Sequence, residues 1–311
     1  MDDKWYLVDN EMGLFIRASR EAKEYSMEEI SRGICSISTL ARIEAGERVV
    51  DYIMIEALLE RMKISKAEYE FVLDNDDYDE YMKREEIRKL IFQKEYEQAE
   101  QKIQRYEKEH GNDELHQQFL FLKKGYLEKK KNQLKKEQIK ELFQKAVSVT
   151  SPEYEKILEQ RGIFSDTELF CLVEMTECIE NSLEREQEQK KLYKYFQWCR
   201  VREKLYPVPY RTAMRYYADC LYYNGKYEQC IDICNKVLNE LYGTSKLENR
   251  HKIFELRAKA KEKTGFQTEE EKKECVKDFL TAYYAAEFYH DEAAPKIKRH
   301  IEEVYAWQFI E

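Results

Sequence analysis

Ala218 and Gly225 lie seven residues apart and recur forty residues later as Ala258 and Gly265. A small residue followed by a helix-stopping Gly at fixed separation marks a helix pair. A pair that repeats buries its apolar stripe against its neighbours in an array. After the first Gly, Tyr227, Cys230, Cys234, Val237 and Leu238 continue at helical spacing, which predicts helices over 210–224 and 227–241. Residues 94–99 repeat the turn, with Tyr96 and Ala99 in place and Ile103 and Tyr106 following. Only 9 Gly and 4 Pro interrupt 311 residues, and strand-like alternation is hard to find, so the rest of the chain also reads as helix.

Two less regular pairs are expected at 115–130 with 139–149 and at 168–182 with 190–203. A last helix over 295–309, carrying Ile297, Ile301, Val304, Tyr305 and Phe309, either caps the array or meets a partner subunit. The small residue, the Gly-x-Tyr turn and the apolar ladder resemble the tetratricopeptide repeat, in about five units from about 80 to 290. The resemblance implies a right-handed α-solenoid with a C-terminal capping helix, whose first helices line a concave wall. The repeat family's inward-facing positions map onto Thr212, Arg215, Asp219, Tyr222 and Tyr223, and in the next unit onto Lys252, Glu255, Lys259 and Glu262. In the middle of the array, Glu174 and Asn181 share a face. Amides, carboxylates, cations and aromatic rings of this kind suit the backbone, termini and side chains of an extended peptide.

The first 72 residues have a different grammar. Helices are expected over 12–22, 27–32 and 36–45, with Leu14, Phe15 and Ala18 at helical spacing in the first. Ser26 and Glu29 form a capping box, Gly33 suits the turn, and Gly46 suits a left-handed stop. A fourth helix starts near Asp51, and Ser65 with Glu68 forms a second capping box. The run Ile34-Cys35-Ser36-x-Ser38-x-Leu40-x-x-Ile43-Glu44-x-Gly46 resembles the Cro/phage-repressor helix-turn-helix. That resemblance places Leu40 and Ile43 inward and Ser36, Ser38, Thr39 and Arg42 toward base edges in a major groove. Arg17 and Arg48 are placed as phosphate clamps, and Arg20 with Glu44 as the family's structural ion pair. Met27 stands where the family usually carries a Gln that touches the DNA backbone. The segment 13–48 holds six cations and six anions, and the whole chain carries −9, so DNA contact must come from where the cations point rather than from bulk charge.

A Cro-type domain over 1–72 followed by repeats over 80–311 resembles the RRNPP family of bacterial regulators, of the Rgg type. The resemblance implies a homodimeric, cytoplasmic transcription factor that binds a double-stranded operator and a short signalling peptide, as in quorum sensing. The alternative is an adaptor whose repeats bind a protein partner. No membrane-spanning run is present. The five His are scattered along the chain, the eight Cys form no Cys-x-x-Cys pair and read as reduced buried thiols, and the acidic stretch 74–80 reads as the domain boundary, capping one helix and starting the next, and as solvated rather than metal-binding. No enzyme, metal or cofactor is therefore expected.

Overall fold

A computed structural model describes residues 3–48, 51–64, 75–203, 208–240 and 250–307. Every helix or strand element among them is an α-helix. In order these are α1 (Asp3–Ala22), α2 (Met27–Ser31), α3 (Ile37–Glu44), α4 (Tyr52–Arg61), α5 (Asn75–Phe92), α6 (Tyr96–His110), α7 (Glu114–Lys131) and α8 (Lys136–Thr150). They continue as α9 (Tyr154–Glu159), α10 (Asp166–Glu177), α11 (Ser182–Glu203), α12 (Tyr210–Tyr223), α13 (Tyr227–Glu240), α14 (Arg250–Thr264), α15 (Glu269–Phe288) and α16 (Ala294–Tyr305). Ser65, Glu68 and Phe309 lie outside the described residues.

Two compact units divide the chain at Glu180. In the first unit the helix-turn-helix core is continuous with residues of the helices behind it. Ile16, Ile30, Leu40, Ile43, Leu58 and Leu59 cluster together with Leu115 of α7 and Ile163, just before α10. Gly33, at φ +67°, brings the α2–α3 turn so close to α8 that an added Cβ would fall 2.1 Å from the Thr150 carbonyl oxygen.

A polar network runs beside this contact. Arg61, at the end of α4, is fully buried and donates to the Arg32 carbonyl and to Glu168 of α10. The same Glu168 oxygen accepts from Thr150 Oγ1 and Ser151 Oγ at 2.7 Å each, and its other oxygen accepts from Ser165 N at 2.6 Å. Burial alone would raise the Glu168 carboxyl; Arg61 and the two hydroxyls outweigh it and hold the group below the usual carboxylate range. Lys63 adds bonds to the Phe164 carbonyl at 2.7 Å and to Asp166 at 3.0 Å. The end of α4 is thereby fixed to α10 and to the end of α8.

In the second unit each helix from α11 to α16 packs on the next. Gly225 (φ +74°) and Gly265 (φ +79°) occupy the left-handed turns that the repeat pattern requires. Lys94 takes the equivalent place before Tyr96 at φ +64°, a conformation that costs a non-glycine residue about 1–2 kcal/mol. Ile297 and Ile301 of α16 bury against Cys275, Phe279 and Ala282, so this helix caps the array, while Val304 is exposed.

Candidate functional site

Local chemistry builds the exposed face of α3. Ser36 is its N-cap and accepts from Thr39 N at 3.0 Å, and its hydroxyl also meets Ser38 and Thr39 hydroxyls at 2.9 Å. Leu40 and Ile43 bury, which turns Ser36, Ser38 and Arg42 outward and leaves Thr39 half-buried. Glu47 N bonds to Arg42 O and Gly46 N to Ile43 O, closing the helix as the sequence predicts. Arg48 is exposed and reaches the Thr39 hydroxyl at 3.2 Å. Arg17 is exposed on α1 and pairs with Glu21 at 3.0 Å.

Behind that face, Arg20 grips Glu44 with two bonds of 2.7 and 2.9 Å and caps the Tyr25 carbonyl at 3.0 Å. The Glu44 contact raises the Arg20 pKa further. This is the structural pair that the resemblance implies. The inward stripe of α1 differs from the expected one. Gly13, Ile16 and Arg20 are buried, whereas Leu14 is 55% exposed and Ala18 is exposed. Met27 packs partly against the core.

The residues expected to hold a peptide fall into three cases. Glu174 is 2% exposed and paired with Lys129, so burial removes it from any open wall. Asn181 accepts from Leu183 N and Glu184 N at 3.0 Å, which makes it the cap that starts α11 earlier than residue 190. Thr212, Arg215, Asp219 and Tyr222 remain part-exposed on α12, Tyr223 is 80% exposed, and Lys252, Glu255 and Lys259 are part-exposed on the adjacent α14. Arg215 pairs with Asp219 at 3.1 Å and lies over the Tyr216 ring at 4.4 Å. Lys259 pairs with Glu255 and is close enough to lower the Tyr222 hydroxyl pKa against the rise that burial gives it. Glu262 turns away toward α16, accepting from Tyr305 OH at 2.6 Å and meeting His300 Nε2 at 2.8 Å.

None of these residues lines the roughly 420 Å³ cavity in the first unit. Helix α4 supplies Glu56 and Glu60, α5 supplies Arg84 and Arg88, and α7 supplies Phe119, Lys123 and Tyr126, with Thr167 and Phe170 closing it. Arg84 is held by Glu56 at 3.3 Å. Lys123 has no carboxylate partner among the described residues; its ammonium lies 5.5 Å from the Phe119 and Tyr126 ring centres. Burial pushes its pKa down to about 7, and Arg88 adds to the shift. A part-charged amine between two aromatic rings is suited to an incoming carboxylate. Phe119, Lys123 and Tyr126 are spaced i, i+4, i+7, a signal legible in the sequence that the repeat register obscured.

Seven of the eight Cys are buried, Cys35 is part-buried, and all are free thiols. Among the described residues no helix is long and apolar enough to cross a membrane.

Residues 16–69 match the helix-turn-helix family model. No curated protein sequence matches the chain. Among solved structures the fold is similar to PlcR of Bacillus thuringiensis, solved in complex with the peptide PapR7 and DNA. That match has TM-score 0.56 and 16% identity and covers 92% of this chain and 98% of PlcR. Others are the apo competence regulator ComR of Streptococcus vestibularis (TM-score 0.48, 14% identity, 94% and 98% covered) and the pheromone receptor Rgg2 of Streptococcus dysgalactiae (0.42, 14%, 94% and 99%). The PlcR likeness establishes an all-helical fold shared along nearly the whole chain.

Proposed function

We propose that the chain is a peptide-responsive transcription regulator of the RRNPP kind, a homodimer that works in the cytoplasm. The observation that carries this reading is the outward face of α3, presented by a chain that folds end to end like a regulator solved with both a peptide and DNA. Ser36, Ser38, Thr39 and Arg42 read base edges, while Arg17 and Arg48 clamp phosphates. The role is one of binding rather than catalysis.

A short peptide engages the polar wall of α12 and α14, through Thr212, Arg215, Asp219, Tyr222, Tyr223, Lys252, Glu255 and Lys259. The peptide changes operator affinity only through its different affinity for the two arrangements of the DNA readers.

Native mass spectrometry of the purified protein with the small-molecule fraction of a culture extract tests the reading. The expected result is an adduct of short-peptide mass that vanishes when the extract is pretreated with protease, and that Arg215→Ala weakens. Separately, a carboxylate ligand seated on Lys123 in the first-unit cavity favours the protonated amine, so its binding weakens as pH rises through about 7. Lys123→Met removes that pH dependence. Absence of any peptide adduct, with a folded protein captured instead from the unfractionated extract, supports the adaptor and rejects the peptide.

A further inference from the structure

Away from the α3 face and the Lys123 cavity, the first unit gathers two imidazoles and several carboxylates from four helices. Glu80 lies on α5, His110 ends α6, His116 lies in the first turn of α7, Asp113 caps α7 and Asp51 caps α4. The ligand atoms of Glu80, His110 and His116 lie within 4.8 Å of one another, as do those of Asp51, Asp113 and His116. We propose that this cluster is a binding site for a divalent transition-metal ion.

The distances fit an ion better than hydrogen bonds. His110 Nδ1 is 3.7 Å from Glu80 Oε1, and His116 Nε2 is 3.8 Å from Glu80 Oε2. Both gaps are too long for a hydrogen bond. Two ligands on one zinc-sized ion, with bonds of about 2.0–2.2 Å, sit roughly 3–4 Å apart.

His116 is 3% exposed, and its Nδ1 meets Tyr106 OH at 2.5 Å. A proton on Nδ1, donated to that hydroxyl oxygen, leaves the Nε2 lone pair facing Glu80. A fixed outer partner of this kind is what orients a metal-binding imidazole. Nε2 of His110 is buried without a hydrogen-bond partner.

Charge points the same way. Among the described residues neither Asp51, Glu80 nor Asp113 has a Lys or Arg partner. Arg84, the cation nearby, is engaged by Glu56 and lies 3.4 Å from Tyr106 OH. Mixed imidazole and carboxylate donors select zinc, cobalt, nickel or manganese over calcium or magnesium.

The two rings now stack, with centroids 4.6 Å apart and planes 15° from parallel. Parallel rings cannot both aim in-plane lone pairs at one ion, so ligation turns His110, at the end of α6, out of the stack. The bound ion ties the start of α4, in the helix-turn-helix, to α5, α6 and α7.

Titrating the chelator-stripped full chain with Co²⁺ tests the site. The expected result is saturable binding of one equivalent with a visible ligand-field band and no thiolate charge-transfer band. Zn²⁺ displaces it. His110→Ala and Asp113→Asn, both partly or fully exposed positions, each weaken Co²⁺ binding about tenfold or more while helix content by circular dichroism is unchanged. His116→Gln abolishes binding if it folds. No saturable Co²⁺ binding, or binding that both exposed-site variants leave unchanged, overturns the proposal.

Discussion

Replacing Arg61 with Met is expected to destabilise the first unit by about 3–5 kcal/mol. The loss comes from what stays behind. Glu168 is fully buried, and without Arg61 its charge keeps only the Thr150 and Ser151 hydroxyls and the Ser165 amide. Glu168→Gln alone is also costly, because it leaves the guanidinium uncompensated. The double variant Arg61→Met with Glu168→Gln recovers much of the loss, since no buried charge remains unpaired. Urea unfolding gives the energies, and hydrogen exchange at α4 and α10 gives their place.

The pH response has a fixed sign. The folded-state pKa of Glu168 is depressed, so its contribution is complete above the unfolded value, about 4.3. It is lost as pH falls through the lower folded value. Glu168→Gln removes that part of the acid slope. Single variants within about 0.5 kcal/mol of the parent would mean that the pair does not join the helix-turn-helix to the repeats.

Arg42→Ala is expected to weaken sequence-specific DNA binding by about 1–3 kcal/mol, roughly 5- to 150-fold. Arg42 is exposed and makes no ion pair among the described residues, so its removal leaves the fold unchanged. Its guanidinium is free to meet a guanine edge in two bonds. The loss concentrates at one base pair of each half-site, and binding to unrelated DNA changes little. Arg48→Ala differs in kind: it weakens all sequences alike and lowers the salt slope by about one. Competition titrations at several salt concentrations separate the two. Equal loss on every sequence for Arg42→Ala would make it a phosphate contact.

What the sequence made legible was local. The Ser26–Glu29 box, the Gly46 stop and the Gly225 turn each depend on residues a few positions apart, and all three stand in the structure. The α1 stripe was misread because its buried positions include a Gly and an Arg, types that an apolar template passes over, while Leu14 matched the template and is exposed. Glu174 was misplaced because the pair around it lacks the Gly-x-Tyr turn that sets register elsewhere. The Arg61–Glu168 bridge spans 107 positions, and the His110–His116 cluster draws on four helices, so no spacing rule encodes either. The histidines looked scattered for that reason.

Selection of binding sites from random duplex DNA by the full chain tests the outward face of α3 most directly. The account predicts enrichment of an inverted repeat with half-sites one or more helical turns, about 10 bp each, apart, and loss of one conserved position in each half-site for Arg42→Ala. Recovery of no common sequence, or of a sequence that Arg42→Ala recovers unchanged, would contradict it.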